Sequence, residues 1–216
     1  MKSAKDILDI IPLPPERPGG PLILPWPVPG NPGSFLSFST LNQWRSFIQG
    51  LGLHSDLPQI VTAKFERAQK LYYLGWIDTD LIKAGELAAM IALELALKNH
   101  YGANVRKWRG KIRFADLLKH MVEGDGLTDA QIPMFQKYGG RIVANLYKTE
   151  EAQKARKGTN VVAPMTLVEI RNSQAHGDPF GNQPYGGLLE LVRDLIEYAY
   201  WDTALKPKAR RSDLCP

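Results

Sequence analysis

"DTDLIKAGELAAMIALELALKNHYG", residues 78–102, is the stretch whose reading decides the fold. Its apolar residues recur at helical rather than alternating spacing, and the run continues for more than twenty residues. Asp78 or Thr79 can cap its start with a side-chain oxygen. Lys98 and His100 put basic side chains in the last turn, where the helix dipole is negative, and Gly102 can end it.

Outward from this element the chain keeps the same period. "STLNQWRSFIQGLG" (39–52) offers Ser39 or Thr40 as a cap and glycines at its end. "PQIVTAKFERAQKLYYLGW" (58–76) carries Ile60, Phe65, Ala68, Leu71 and Tyr72 near helical spacing. On the C-terminal side come "RFADLLKHMVEGDG" and "TDAQIPMFQKYGGRIVANLY", the latter broken by Pro133 and the pair Gly139-Gly140. A charged loop, "KTEEAQKARKGTN" (148–160), leads to "APMTLVEIRNSQAHG" (163–177), where Pro164 suits a first helical turn. "GGLLELVRDLIEYAYWDTAL" (186–205) is the last long helix. No stretch alternates as a strand should and no repeat is evident, which predicts an all-α domain, an up-and-down bundle with short connections.

Only the N-terminus departs from this pattern. "IIPLPPERPGGPLILPWPVPGNPG" (10–33) holds nine of the sixteen prolines, so neither a helix nor a central strand fits it. It reads as an extended arm. Leu22, Ile23, Leu24, Trp26 and Val28 suit packing along the domain or a partner subunit, and a polyproline-like tail is the alternative. The expected organisation is an arm at 1–38, a helical domain at 39–205 and a basic tail at 206–216.

The 216 residues, 44% hydrophobic and 23% charged, suit one soluble domain that buries a core unaided. A net charge of +5 and a pI near 9.2 permit a polyanionic partner without identifying one. The single cysteine, Cys215, can form no internal disulfide, and no Cys/His pair has zinc-ligand spacing. No metal or cofactor is expected. With no signal-like segment and no membrane-length apolar run, a cytoplasmic protein is the default.

Chemistry concentrates in "EIRNSQAHGDPFGN", residues 169–182. Arg171 lies one turn from Leu167, Val168 and Ala175, and a buried arginine needs a carboxylate or a site. His176 follows five residues on, about 140° around a continuous helix and roughly 7.5 Å along it. Gly177 and "DPFGNQP" end the helix there, which allows the two side chains to meet in one pocket. Imidazole moves protons at neutral pH, and guanidinium matches phosphate oxygens. Together they suit metal-free phosphodiester cleavage, with Asn172 holding the phosphate or orienting the histidine. A solvated arginine and a capping histidine are the plain alternative.

At these residues the chain resembles the HEPN superfamily. "EIRNSQAHG" is similar to its R-x4-H signature, and the "ALELAL" run with Glu94 resembles the preceding helix, over roughly residues 78–205. The resemblance implies a HEPN-like helical bundle that dimerises, so that two motifs share one cleft. Many members are metal-independent endoribonucleases of toxin–antitoxin or phage-defence systems, some held by an antitoxin protein. It implies Arg171 and His176 as the catalytic pair, Asn172 as a supporting polar residue and Glu94 as the group orienting Arg171. Other members are non-catalytic modules binding nucleotide, RNA or protein. The tyrosine that some toxins carry two residues after the histidine is Asp178 here, which puts regulation through that residue in doubt.

"KNHYGANVRKWRGKIR" (98–113) is the second candidate. Arg106, Lys107, Arg109, Lys111 and Arg113, with Trp108 interleaved, suit phosphates and base stacking along single-stranded RNA, or form a solvated connector. His54 and His100 read as loop and cap residues, and His120 as a structural or surface histidine.

Overall fold

The computed structural model describes residues 12–54, 56–107, 109–148, 164–177 and 183–201. Residues 1–11, Trp108, the charged loop from 149, Asp178 and the basic tail with Cys215 lie outside the described residues. Among the described residues seven α-helices form the body: α1 (Leu41–Gln49), α2 (Gln59–Leu74), α3 (Asp80–Tyr101), α4 (Phe114–Lys119), α5 (Pro133–Tyr138), α6 (Leu167–Ala175) and α7 (Leu188–Tyr200). The fold is mostly helical, and no helix among the described residues is long and apolar enough to cross a membrane.

Helix α3 is the axis. Ala89, Met90, Leu93, Ala96 and Leu97 are fully buried, with α2 on one side and α7 on another. Gly75 lies against Ile82 while Gly85 lies against Tyr72, so α2 and α3 run antiparallel. Their closeness depends on glycine: a Cβ at Gly85 would stand 2.6 Å from the Tyr72 ring, which is itself buried and has nowhere to go. At the start of α3 the Asp78 carboxylate accepts the Asp80 N–H (3.0 Å), while Thr79 makes no side-chain cap. Ile60, counted with the apolar stripe of α2, points outward and is 55% exposed.

The arm is where the structure departs from an all-α reading. It forms an antiparallel pair, β1 (Leu22–Pro25) and β2 (Phe35–Phe38), with Leu22 opposite Phe38 and Pro25 opposite Phe35. Leu22 and Leu24 are buried while Ile23 is exposed. The alternation is real, but three consecutive aliphatics hide it. Pro25 ends its strand, where a missing N–H costs little. The hairpin packs on its own chain rather than hanging free. The Trp26 ring meets Phe47 edge-on at 4.8 Å, and its Nε1 donates to Glu190 of α7 (3.2 Å). Further back, Trp76 Nε1 donates to the Pro14 carbonyl (2.8 Å) and Arg17 Nε to the Trp76 carbonyl (3.0 Å).

Three local details also differ from the sequence pattern. Pro133 opens α5 at its first turn, where its absent N–H leaves nothing unpaired. Pro164 precedes α6 instead of starting it, because Thr166 and Glu169 form a reciprocal capping box that sets the first turn at Leu167. After α4 the helix widens into a π-turn, His120–Gly124.

Gly85→Ala should lower stability by about 1–3 kcal/mol despite its better helix propensity, because the added methyl must displace a packed ring. Urea unfolding followed by circular dichroism checks this; an unchanged or raised midpoint would contradict the close approach.

Candidate functional site

Helix α6 has nine residues, and only Leu167 among them is buried. Val168 and Ile170 pack partly buried against the core, and polar contacts add to that modest apolar seat. Two carboxylates of α3 make such contacts. Arg171 Nη2 donates to Glu94 Oε2 at 2.7 Å, and Gln174 Nε2 donates to Glu86 Oε2 at 2.7 Å. Glu86 and Glu94 are eight residues apart, a little over two turns, and therefore share one stripe of α3. Because the later α6 residue meets the earlier α3 residue, the two helices run in opposed directions.

Each carboxylate is itself supported. Lys98 Nζ donates to Glu94 Oε1 at 2.5 Å. Burial alone would raise the Glu94 carboxyl, but the Lys98 ammonium and the Arg171 guanidinium hold it below its ordinary value. Its contribution to stability is therefore complete above its unfolded range and is lost as pH falls through the lowered value. Glu86 is fully buried and accepts the Tyr185 backbone N–H as well as Gln174. Burial dominates there and pushes its carboxyl up to about 8, against the opposing pull of the Tyr185 N–H and Lys83.

Arg171 also donates from Nη1 to Asn172 Oδ1 at 3.2 Å. Its Nε is buried and has no hydrogen-bond partner among the described residues. The structure thus brings Arg171, Asn172 and Glu94 together. His176 is not part of that cluster. It caps α6, its N–H donating to the Asn172 and Ser173 carbonyls (3.0 and 3.2 Å), and its side chain is exposed. Gly177 then takes φ +71°, the left-handed geometry that ends the helix. Among the described residues no hydrogen bond or ion pair joins Arg171 to His176. Arg171 faces α3, whereas His176 stands at the exposed helix end five residues on, so the two are not paired directly.

Beside this helix end lies a small hollow of about 200 Å³ between α3 and α6, lined by Lys83, Leu87, Ser173, Gln174, Gly177 and Tyr185. Lys83 Nζ stands 5.7 Å over the Tyr185 ring centre. Glu86, Gln174 and Tyr185 carried no sequence motif. The available signal was a glutamate inside an apolar stripe, which has to find a partner once buried.

The second candidate occupies the connector between α3 and α4. Arg106, Lys107, Arg109, Lys111 and Arg113 are all exposed there. Arg109 sits at φ +49°, an uncommon backbone geometry for a residue with a side chain, followed by Gly110 at +77°. Arg113 grips Asp116 with two N–H groups at 2.6 and 2.7 Å. From Glu94, which anchors Arg171, to Tyr101 at the edge of the connector is seven residues of helix, about 10 Å. The two candidates therefore lie side by side along α3 and are built from different residues.

No protein-family model, curated protein or solved structure matches this chain.

Two outcomes test the anchoring of α6. Between about 4.5, the ordinary value, and about 8 the folded chain keeps a proton on Glu86 that the unfolded chain releases. The stability from neutral Glu86 is complete below that window and lost as pH rises through it. Glu86→Gln should accordingly flatten the fall in melting temperature between pH 5 and 8; a variant with the wild-type slope contradicts the assignment. Glu94→Gln should cost about 1–2 kcal/mol at neutral pH, since the Arg171 guanidinium loses its charged partner in a half-buried setting. Denaturant midpoints measure it.

Proposed function

We propose that the chain is a metal-independent endoribonuclease of HEPN type, acting as a homodimer in which two copies of α6 line one cleft. The observation that carries this reading is the arrangement of α6 itself. Arg171 is anchored by Glu94, and an exposed imidazole stands at the helix end five residues later. Two of the five guanidinium N–H groups are used by Glu94 and Asn172, and Nε is buried. That leaves one N–H on each terminal nitrogen for a phosphate oxygen. Because no hydrogen bond pairs Arg171 with His176 within one copy, the proposal takes groups from two. Ile91, one turn from Glu94, and Met165, just before α6, are 43% and 45% exposed and offer a second copy apolar contact there.

In such a cleft one His176 imidazole accepts the proton of a ribose 2′-hydroxyl as its oxygen attacks phosphorus. The bond from phosphorus to the 5′-oxygen breaks, and the protonated imidazole of the other copy supplies the proton that oxygen takes up. The products are a 2′,3′-cyclic phosphate and a 5′-hydroxyl. The Arg171 guanidinium neutralises charge on the non-bridging oxygens, and Glu94 fixes its direction without touching the substrate. A toxin–antitoxin or phage-defence setting, with a protein antitoxin covering the cleft, belongs to the same proposal. A non-catalytic RNA-, nucleotide- or protein-binding module is the second reading. It is favoured by one observation, that no hydrogen bond or ion pair joins Arg171 to His176 within one copy.

In EDTA the purified chain should cleave single-stranded RNA to 2′,3′-cyclic phosphate ends. His176→Ala should slow this by about 10²–10⁴-fold and Arg171→Ala by about 10²–10³-fold. Undiminished cleavage by both variants would overturn the assignment, and saturable binding without turnover would select the binding module.

A further inference from the structure

The connector between α3 and α4 does more than display cations. With α4 and its π-turn it encloses an open groove of about 810 Å³. Arg106, Lys107 and Arg109 of the connector, Arg113 and Lys119 at the two ends of α4, and His120 all line it. Five cations face two carboxylates, and both carboxylates are engaged. Asp116 is held by the Arg113 fork, while Glu123 accepts Tyr147 Oη at 3.0 Å and lies 3.7 Å from Lys119 Nζ. The field inside the groove is therefore positive, and its cations come from the connector and from both ends of α4, about 9 Å apart, rather than from a single turn. That distribution fits a chain of phosphates better than a single phosphate group.

The groove also has flat surfaces. The π-turn adds a residue to the helical turn and brings Gly124 directly beneath the His120 ring; a Cβ there would stand 3.1 Å from Nδ1 and Cε1. Tyr101 meets the same ring edge-on with centroids 5.0 Å apart, and its hydroxyl donates to Asp125 at 2.5 Å, which fixes Tyr101 in turn. His120 is thus a half-buried, oriented imidazole among guanidinium groups. Imidazole and guanidinium planes both accept stacked bases, and guanidinium forks match phosphate oxygens. An acidic peptide would use only the second property.

From these features we infer that the α3–α4 groove is a binding site for single-stranded nucleic acid, with phosphates along Arg106, Lys107 and Lys119 and a base against His120. It begins about 10 Å along α3 from the Glu94–Arg171 contact and is lined by different residues. It therefore acts as a tether beside the Arg171–His176 locus. The inference rests on the charge and shape of the groove and stands whether or not the chain cleaves RNA.

The test is fluorescence anisotropy with a labelled single-stranded oligonucleotide of mixed sequence, as RNA and as DNA, over a salt series in EDTA. Arg106→Gln combined with Lys107→Gln alters exposed residues only. It should weaken binding at least tenfold at low salt and reduce the slope of log affinity against log salt by about 0.7 for each phosphate no longer neutralised. His120→Ala should weaken binding several-fold with the slope unchanged, since a stacked base releases no counterion. Cleavage is read separately, as 2′,3′-cyclic phosphate ends, so a failure of the cleavage reading leaves this binding outcome readable. Wild-type affinity in the Arg106/Lys107 variant would overturn the proposal. So would a length-matched polyaspartate that binds as tightly as the oligonucleotide, because the groove would then be an acidic-peptide site.

Discussion

Two carboxylates on one stripe of α3 hold the part of this molecule with the most chemical potential. Helix α6 is short and buries only Leu167 fully, with Val168 and Ile170 partly buried against the core, so Glu86 and Glu94 add polar contacts that orient it. The two work differently. Glu94 is ionised and flanked by Lys98 and Arg171, so its hold is electrostatic and partly open to solvent. Glu86 is sealed in the core and favours its neutral form, so its hold is hydrogen bonding in a dry setting. Removing either partner strands a polar group, which makes the arrangement directional.

The N-terminal hairpin illustrates a different solution to a similar problem. A proline-rich segment cannot supply a full ladder of hydrogen bonds, so it is anchored by indoles. Trp26 reaches Glu190 on α7 and Trp76 reaches the Pro14 carbonyl, each pairing a large apolar surface with one satisfied N–H. Glu190 also accepts Tyr138 Oη (3.2 Å), so one buried carboxylate ties the hairpin, α5 and α7 together. Such a carboxylate is tolerated because its oxygens are occupied and Arg193 lies 3.4 Å away.

Charge is divided along α3 as well. Near its middle the carboxylates order an arginine, and past its end cations gather in a groove whose acids are already engaged. A strand of nucleic acid would meet these as separate contacts, one binding through phosphates and a ring, the other presenting the groups proposed to do chemistry.

Most helices were legible because they are long enough to show their period. α2, α3 and α7 repeat apolar residues over three turns or more, and α3 ends at Gly102 as its capping pattern predicts. The two strands were not legible, since four residues carry little period and "LIL" masks its own alternation. The start of α6 was misplaced at Pro164 because a reciprocal cap between Thr166 and Glu169 outweighs a proline's preference. At the site, Arg171, Asn172 and His176 could be named from their order in the chain, and Glu94 from resemblance. Glu86, Gln174 and Tyr185 could not, because nothing local marks two residues 88 or 99 positions apart as partners. The sequence by itself determined the helical period, the helix ends and the inventory of reactive groups, all set by neighbours within a few residues. Only the tertiary structure decided which groups meet. It turned Arg171 onto α3 and left His176 facing solvent, because a buried carboxylate must find its donor wherever packing brings one.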